Sequence, residues 1–202
     1  MNLSLLFYNL THITYIHKEN GLDYATRKSN GTLYIYFEDS DGALDWKNNL
    51  DFPARCYKGL FVHRGFLRVW QSAEELLREQ ILDDGVGKIV ISGYSHGAAL
   101  ALLCHEYVWY HRPDLRDAIE GYGFGCPRVI WGRKSSTHKE RWSRFCVIKN
   151  IDDIITHLPP AFLGYFHVGS IMKIGKRGNY SMIDAHRPES YTKELNNINL
   201  KI

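Results

Sequence analysis

The five residues Gly93-Tyr94-Ser95-His96-Gly97 constrain this chain more than any other stretch. Before them runs Lys88-Ile89-Val90-Ile91-Ser92, a β-branched apolar segment that reads as a buried strand. After them runs Ala98-Ala99-Leu100-Ala101-Leu102-Leu103-Cys104, a series of good helix formers. The chain must pass from strand to helix through a sharp turn with a serine at its apex. Such a turn needs glycine on both flanks, because a side chain there would crowd the adjoining strand and helix. The serine is held in a strained backbone conformation, and its hydroxyl is lifted clear of the sheet.

Strand, Gly-x-Ser-x-Gly and helix in this order form the nucleophile elbow of an α/β-hydrolase. Backbone N–H groups at the start of the helix can face a developing oxyanion. A glycine-rich turn whose serine only caps a helix would look the same locally. The decision therefore rests on an acid and a histidine elsewhere in the chain.

At 202 residues the chain is long enough for one domain with a substantial core, and residues 1–202 read as a single domain. Hydrophobic residues make up 45% and charged residues 23%, the balance of an ordinary soluble protein. A net charge of +3, scattered along the chain, gives no footprint for nucleic acid. Cys56, Cys104, Cys126 and Cys146 show no C-x-x-C spacing, so metal or redox motifs are not expected; buried free thiols in a reducing compartment are. The apolar run Leu3 to Tyr8 lacks the features of a signal peptide, and no stretch reaches the length of a membrane span, so a cytoplasmic location is expected.

Residues 1–20 carry apolar groups at loosely helical spacing and suggest a helix. Asn30-Gly31 marks a turn that opens a strand over Thr32–Phe37. A helix is predicted from about Phe66 to Leu82, and Pro113 stops the helix after the elbow. Further strands are predicted over Gly121–Cys126, Phe145–Lys149 and His167–Ile174, with a terminal helix ending near Leu195. This alternation predicts an α/β fold with a mostly parallel central sheet and helices on both faces.

A serine needs a base within hydrogen-bond reach, and the base needs an orienting carboxylate. In an α/β-hydrolase these follow in the order serine, acid, histidine. Asp152 and Asp153 both stand at the C-terminal end of the Phe145–Lys149 strand, where the acid belongs. The histidines after them are His157, His167 and His186. His157 is only four residues past Asp153, and His167 opens a predicted strand. His186 sits in a loop after the last strand, from which it can hang over the nucleophile.

Five separated stretches resemble, in order, the class 3 lipase family of fungal-lipase-like α/β-hydrolases. Tyr36-Phe37 through Ser40, with Asp45-Trp46 and Leu50, resembles its oxyanion strand and loop. Val62-His63-Arg64-Gly65-Phe66 resembles its V-H-x-G-F stretch, and Gly93 to Leu100 its G-H-S-L-G-G-A-L elbow. Phe124-Gly125-Cys126-Pro127-Arg128-Val129 resembles its F-G-x-P-R-V turn. Asn150 to Pro160 with Gly164-Tyr165-Phe166-His167 resembles its acid loop and trailing histidine. The resemblance implies Ser95 as nucleophile, Asp153 as acid and His186 as base. It also implies an oxyanion hole from Ser40 and the backbone N–H of His96, and gives His167 no catalytic part. The chain departs from the pattern at Glu38-Asp39, where the family commonly has Arg-Gly, and at Tyr94, where it commonly has His.

A serine esterase or lipase is therefore expected, needing no metal or organic cofactor and taking a small ester or lipid as its partner. The interval from Ser40 to Trp46 is short, so no large lid is expected there, and a carboxylesterase fits as well as a lipase. A phospholipase, feruloyl-type esterase or acyltransferase would use the same scaffold, and a binding module could retain it without catalysis. If Ser40 lies at the oxyanion hole, either Glu38 and Asp39 both point away to solvent or a basic group such as Arg64 or Arg128 neutralises one of them, and the second arrangement is the one expected.

Overall fold

The computed structural model describes residues 2–38 and 52–199. A helix over Leu3–His12 leads into β1 (Ile16–His17), β2 (Asp23–Ser29) and β3 (Thr32–Phe37). The chain continues through β4 (Ala54–Tyr57), β5 (Leu60–His63) and a long helix, Arg64–Ile81. Then come β6 (Lys88–Tyr94), the elbow helix His96–His111 and β7 (Ile119–Phe124). After β8 (Ile130–Trp131) and a short helix, Ser136–Arg141, stand β9 (Phe145–Asn150), β10 (Tyr165–Phe166) and β11 (Ser170–Ile174). A helix over Pro188–Asn199 is the last element among the described residues.

The central sheet has the order β1-β2-β3-β6-β7-β9-β11. From β3 to β11 every pairing is parallel, while β1 and β2 join antiparallel at one edge. The expected mostly parallel sheet is thus present. Its strands alternate sides in the manner a pleated sheet requires. Leu33, Ile35, Phe37, Ile89, Ile91 and Val147 join a core under the helices Arg64–Ile81 and His96–His111. Tyr36, Val90, Tyr94 and Ile148 join a second core with Phe7, Leu10, Tyr191 and Leu195 of the first and last helices. Helices cover both faces, and the elbow helix, buried on all sides from His96 to Val108, is apolar nearly all round for that reason.

A second, four-stranded antiparallel sheet, β10-β8-β5-β4, was not expected from the sequence. Its leading hairpin turns through Lys58 and Gly59, both at positive φ (48° and 80°), a two-residue loop of the type that suits strand twist. Lysine is a poor signal for such a turn. The Asn30-Gly31 loop has the same geometry, and its sequence is the usual one, so it was legible. The strand expected over His167–Ile174 begins only at Ser170, and the helix expected in residues 1–20 ends at His12. Cys104 and Cys126 are buried free thiols as expected, but Cys56, on the end strand β4 of the small sheet, is exposed.

Candidate active site

Ser95 stands between β6 and the elbow helix with φ 55° and ψ −121°, a conformation that few non-glycine residues adopt. Its N–H donates to the carbonyl of Phe124 at 2.9 Å, which ties the turn to the neighbouring strand β7. The flanking glycines are required by close backbone approach. A β-carbon on Gly93 would lie 2.1 Å from the carbonyl oxygen of Gly97, and one on Gly97 would lie 2.3 Å from that of Phe37. The second contact also brings the end of β3 against the first turn of the elbow helix.

The last two partners come from the strand end and the loop that the sequence pointed to. Ser95 Oγ is 2.7 Å from His186 Nε2, and His186 Nδ1 is 2.8 Å from Asp153 Oδ2. With Nδ1–H donating to the carboxylate, Nε2 is left to accept the serine proton. Asp153 is buried directly beyond β9, and its other oxygen accepts the N–H of Ile155 at 2.8 Å. Tyr191, from the last helix, donates its hydroxyl to Asp153 Oδ2 at 2.6 Å and accepts the N–H of Asn150 at 3.1 Å. Burial pushes the Tyr191 phenol well above its ordinary pKa, and the Asp153 charge adds to this, so the hydroxyl remains a donor. Sequence reasoning missed Tyr191, since nothing local marks a tyrosine on a terminal helix as a partner of an acid behind a distant strand.

The family description Lipase (class 3) matches residues 34–163. The chain belongs to the class 3 lipase family. A lipase of Rhizomucor miehei is 30% identical over 167 residues, covering 79% of this chain and 46% of that protein. The structure of the Rhizomucor miehei triacylglyceride lipase superposes with a TM-score of 0.68 at 26% identity, over 81% of this chain and 66% of that one. A triacylglycerol lipase whose catalytic centre is a serine protease triad superposes with a TM-score of 0.67, again at 26% identity over 81% of this chain and 66% of that one. This class 3 lipase chain therefore spans about half the length of the curated Rhizomucor relative.

In this class 3 lipase chain the remaining sequence candidates separate cleanly. Asp152 turns away and accepts the N–H of Gly178 at 2.8 Å. His157 is exposed, with Lys149 Nζ 3.4 Å from its Nε2. His167 Nε2 meets the carbonyl of Thr156 at 2.8 Å, and Thr156 Oγ1 in turn donates to the carbonyl of Asp153 at 2.9 Å, so His167 braces the acid loop. His96 opens the elbow helix with a buried imidazole whose pKa burial lowers to about 4, keeping the ring neutral. Ser40 and Asp39 lie outside the described residues. The guanidinium of Arg128 donates to the carbonyls of His157 and Pro159. The F-G-x-P-R-V turn thus clamps the chain after the acid.

A cavity of about 820 Å³ opens beside His186. Its apolar wall is formed by Leu10, Tyr94, Ile154, Ile155, Ile183 and Pro188. Glu38, His12, Glu189 and Lys193 add polar groups to the lining. Leu10 and His12 come from the first helix, outside the residues that match the family. Among the described residues no helix is long and apolar enough to cross a membrane.

Proposed function

We propose that this chain is a serine carboxylic-ester hydrolase acting through an acyl-enzyme. One observation carries the reading: Ser95 Oγ lies 2.7 Å from His186 Nε2, with Asp153 2.8 Å from the opposite ring nitrogen, beside an apolar cavity. In the proposed reaction Ser95 Oγ attacks the ester carbonyl while His186 Nε2 takes its proton. Asp153 holds the imidazole in the required tautomer and stabilises the imidazolium. His186 then gives the proton to the departing alkoxide, leaving Ser95 acylated. A water molecule loses a proton to His186, attacks the acyl carbon, and releases the acid with Ser95 restored.

The backbone N–H of His96 and the residue Ser40 are proposed as the oxyanion donors. The approach of Gly97 to the Phe37 carbonyl supports this, because it sets the end of β3, three residues before Ser40, beside the elbow. A cavity of this size with an apolar wall suits the acyl chain of a lipid or medium-sized ester. A fluorophosphonate probe, whose phosphorus would be attacked by Ser95 with loss of fluoride, tests the nucleophile. Labelling is expected at Ser95 and absent in Ser95→Ala. A panel of p-nitrophenyl esters of graded chain length then tests the substrate class. Absence of both labelling and ester turnover would overturn the reading in favour of a binding module.

A further inference from the structure

Tyr94 directly precedes the proposed nucleophile, at a position where the elbow motif of the resembling family carries histidine. Its place on β6 sets its direction. Side chains alternate along a strand, and Tyr94 shares the parity of Val90, so it points to the face covered by the first and last helices. There its ring lies parallel to the imidazole of His186, with centroids 5.2 Å apart and planes inclined by 19°. Other rings hold it in that attitude. Phe7 meets it edge-on at 5.7 Å and 76°, and Tyr191 at 5.8 Å and 73°. The ring is buried, yet it also lines the cavity beside His186.

We propose that Tyr94 is a positioning residue for His186, its ring face fixing the imidazole plane and stabilising the imidazolium formed during acyl transfer. The inference rests on His186 being the base proposed above. An aromatic face carries negative electrostatic potential, so it attracts a cation placed over it, most strongly away from water. The neutral imidazole gains little from this, and the protonated ring gains most. The interaction therefore grows as the proton leaves Ser95, which is the condition for an interaction to accelerate a reaction. A histidine at this position would bring a second ionisable ring against the first. A tyrosine brings the stacking surface without a competing positive charge.

Among the described residues the charged and titratable groups around His186 are these. Asp153 and Ser95 bond it directly, and Tyr191 reaches it through Asp153. Glu38, His12, Arg187, Glu189 and Lys193 share its cavity from four different segments. Every one of them is unchanged when only residue 94 is replaced, so a difference between variants reads the ring.

The test compares wild type, Tyr94→Phe and Tyr94→Leu in the whole chain. Three quantities are measured: kcat and KM for a p-nitrophenyl ester, the pH profile of kcat/KM, and the titration of the His186 ring by NMR without substrate. Tyr94→Phe keeps the stacking face and is expected to keep the acid-limb midpoint. Tyr94→Leu is expected to move that midpoint, and the NMR midpoint, down by roughly half a unit to one pH unit. Its kcat should fall about 3- to 30-fold. Tyr94→Met replaces it should the leucine variant not fold. An altered KM with kcat and both midpoints unchanged would reduce Tyr94 to a cavity wall and overturn the proposal, as would unchanged values throughout. Ser95→Ala separates the two readings. Normal turnover in that variant defeats the proposed mechanism, while the NMR titration of His186 still reports on Tyr94.

Discussion

Gly125 faces His186 so closely that a β-carbon on the glycine would lie 2.9 Å from Cε1 of the imidazole and 3.2 Å from its Nδ1. The same atom would lie 3.3 Å from Asp153 Oδ2. The residue also holds φ +61°, which L side chains rarely adopt. Gly125 follows β7 directly, so the strand beside the elbow ends in a surface shaped to the histidine and its acid.

Gly125→Ala is therefore expected to damage turnover more than stability. The added methyl would push His186 off its line to Ser95, and a displacement of about 1 Å can cost on the order of 100-fold. The unfolding free energy should fall by only about 1–2 kcal/mol, from backbone strain and local crowding. Ester kinetics and chemical denaturation of the same preparation check this. An alanine variant with full kcat would show that the histidine has room to spare.

Ser95 presents the opposite trade. Its positive φ costs folding energy that only a glycine would avoid. Ser95→Gly is expected to stabilise the protein by about 1 kcal/mol while bringing turnover close to background. Ser95→Ala should lose the same activity without the gain, because alanine keeps the strain. Denaturation midpoints of the two variants, measured side by side, decide whether the elbow is strained as its angles indicate.

The neighbouring acids should differ sharply. Asp153→Asn removes the acceptor that fixes the His186 tautomer, and a loss of roughly 10³–10⁴ in kcat is expected, as in other serine, histidine and aspartate sites. Asp152 accepts the Gly178 N–H and lies outside the His186 hydrogen bonds, so Asp152→Asn should stay within about threefold of wild type. Tyr191→Phe leaves Asp153 Oδ2 and the Asn150 N–H each short of a buried partner. It should cost about 1–3 kcal/mol of stability and a smaller share of kcat than Asp153→Asn. Steady-state kinetics on the three variants checks the order, and equal losses at 152 and 153 would contradict it.

His105 gives a pH prediction. It is fully buried on the elbow helix, neither ring nitrogen has a hydrogen-bond partner among the described residues, and burial lowers its pKa to about 3. The unfolded chain takes up this proton near pH 6.5, well before the folded chain does. The group is neutral in both states at higher pH, so stability is intact there. It falls as the pH drops below 6.5, by about 1.4 kcal/mol per unit, down to the folded value. His105→Leu should remove one proton's worth of that slope. The measurement is urea denaturation from pH 4 to pH 8 on both proteins, and parallel curves would rule the histidine out as the source.

The local steric and periodic demands of the chain were readable without coordinates. Gly93 is dictated by contact with Gly97 inside the elbow, and the apolar runs on either side name their own secondary structure; the need for Gly97 was legible from the motif, although the backbone it meets is that of Phe37 at the end of β3. Asp153 and His186 were legible more weakly, through chain order and strand ends. What only the tertiary structure decided are relationships between segments far apart in the chain. Tyr191 reaches Asp153 from 38 residues away, and the ring of Tyr94 stacks on that of His186. Gly125 fits His186 because β7 and the turn before the last helix meet there. A side chain's rotamer and partner depend on how whole elements pack, and that packing is set by two cores on opposite faces of one sheet. Local sequence carries the period and the turn; the distance between two side chains on different elements exists only once the sheet has brought them together.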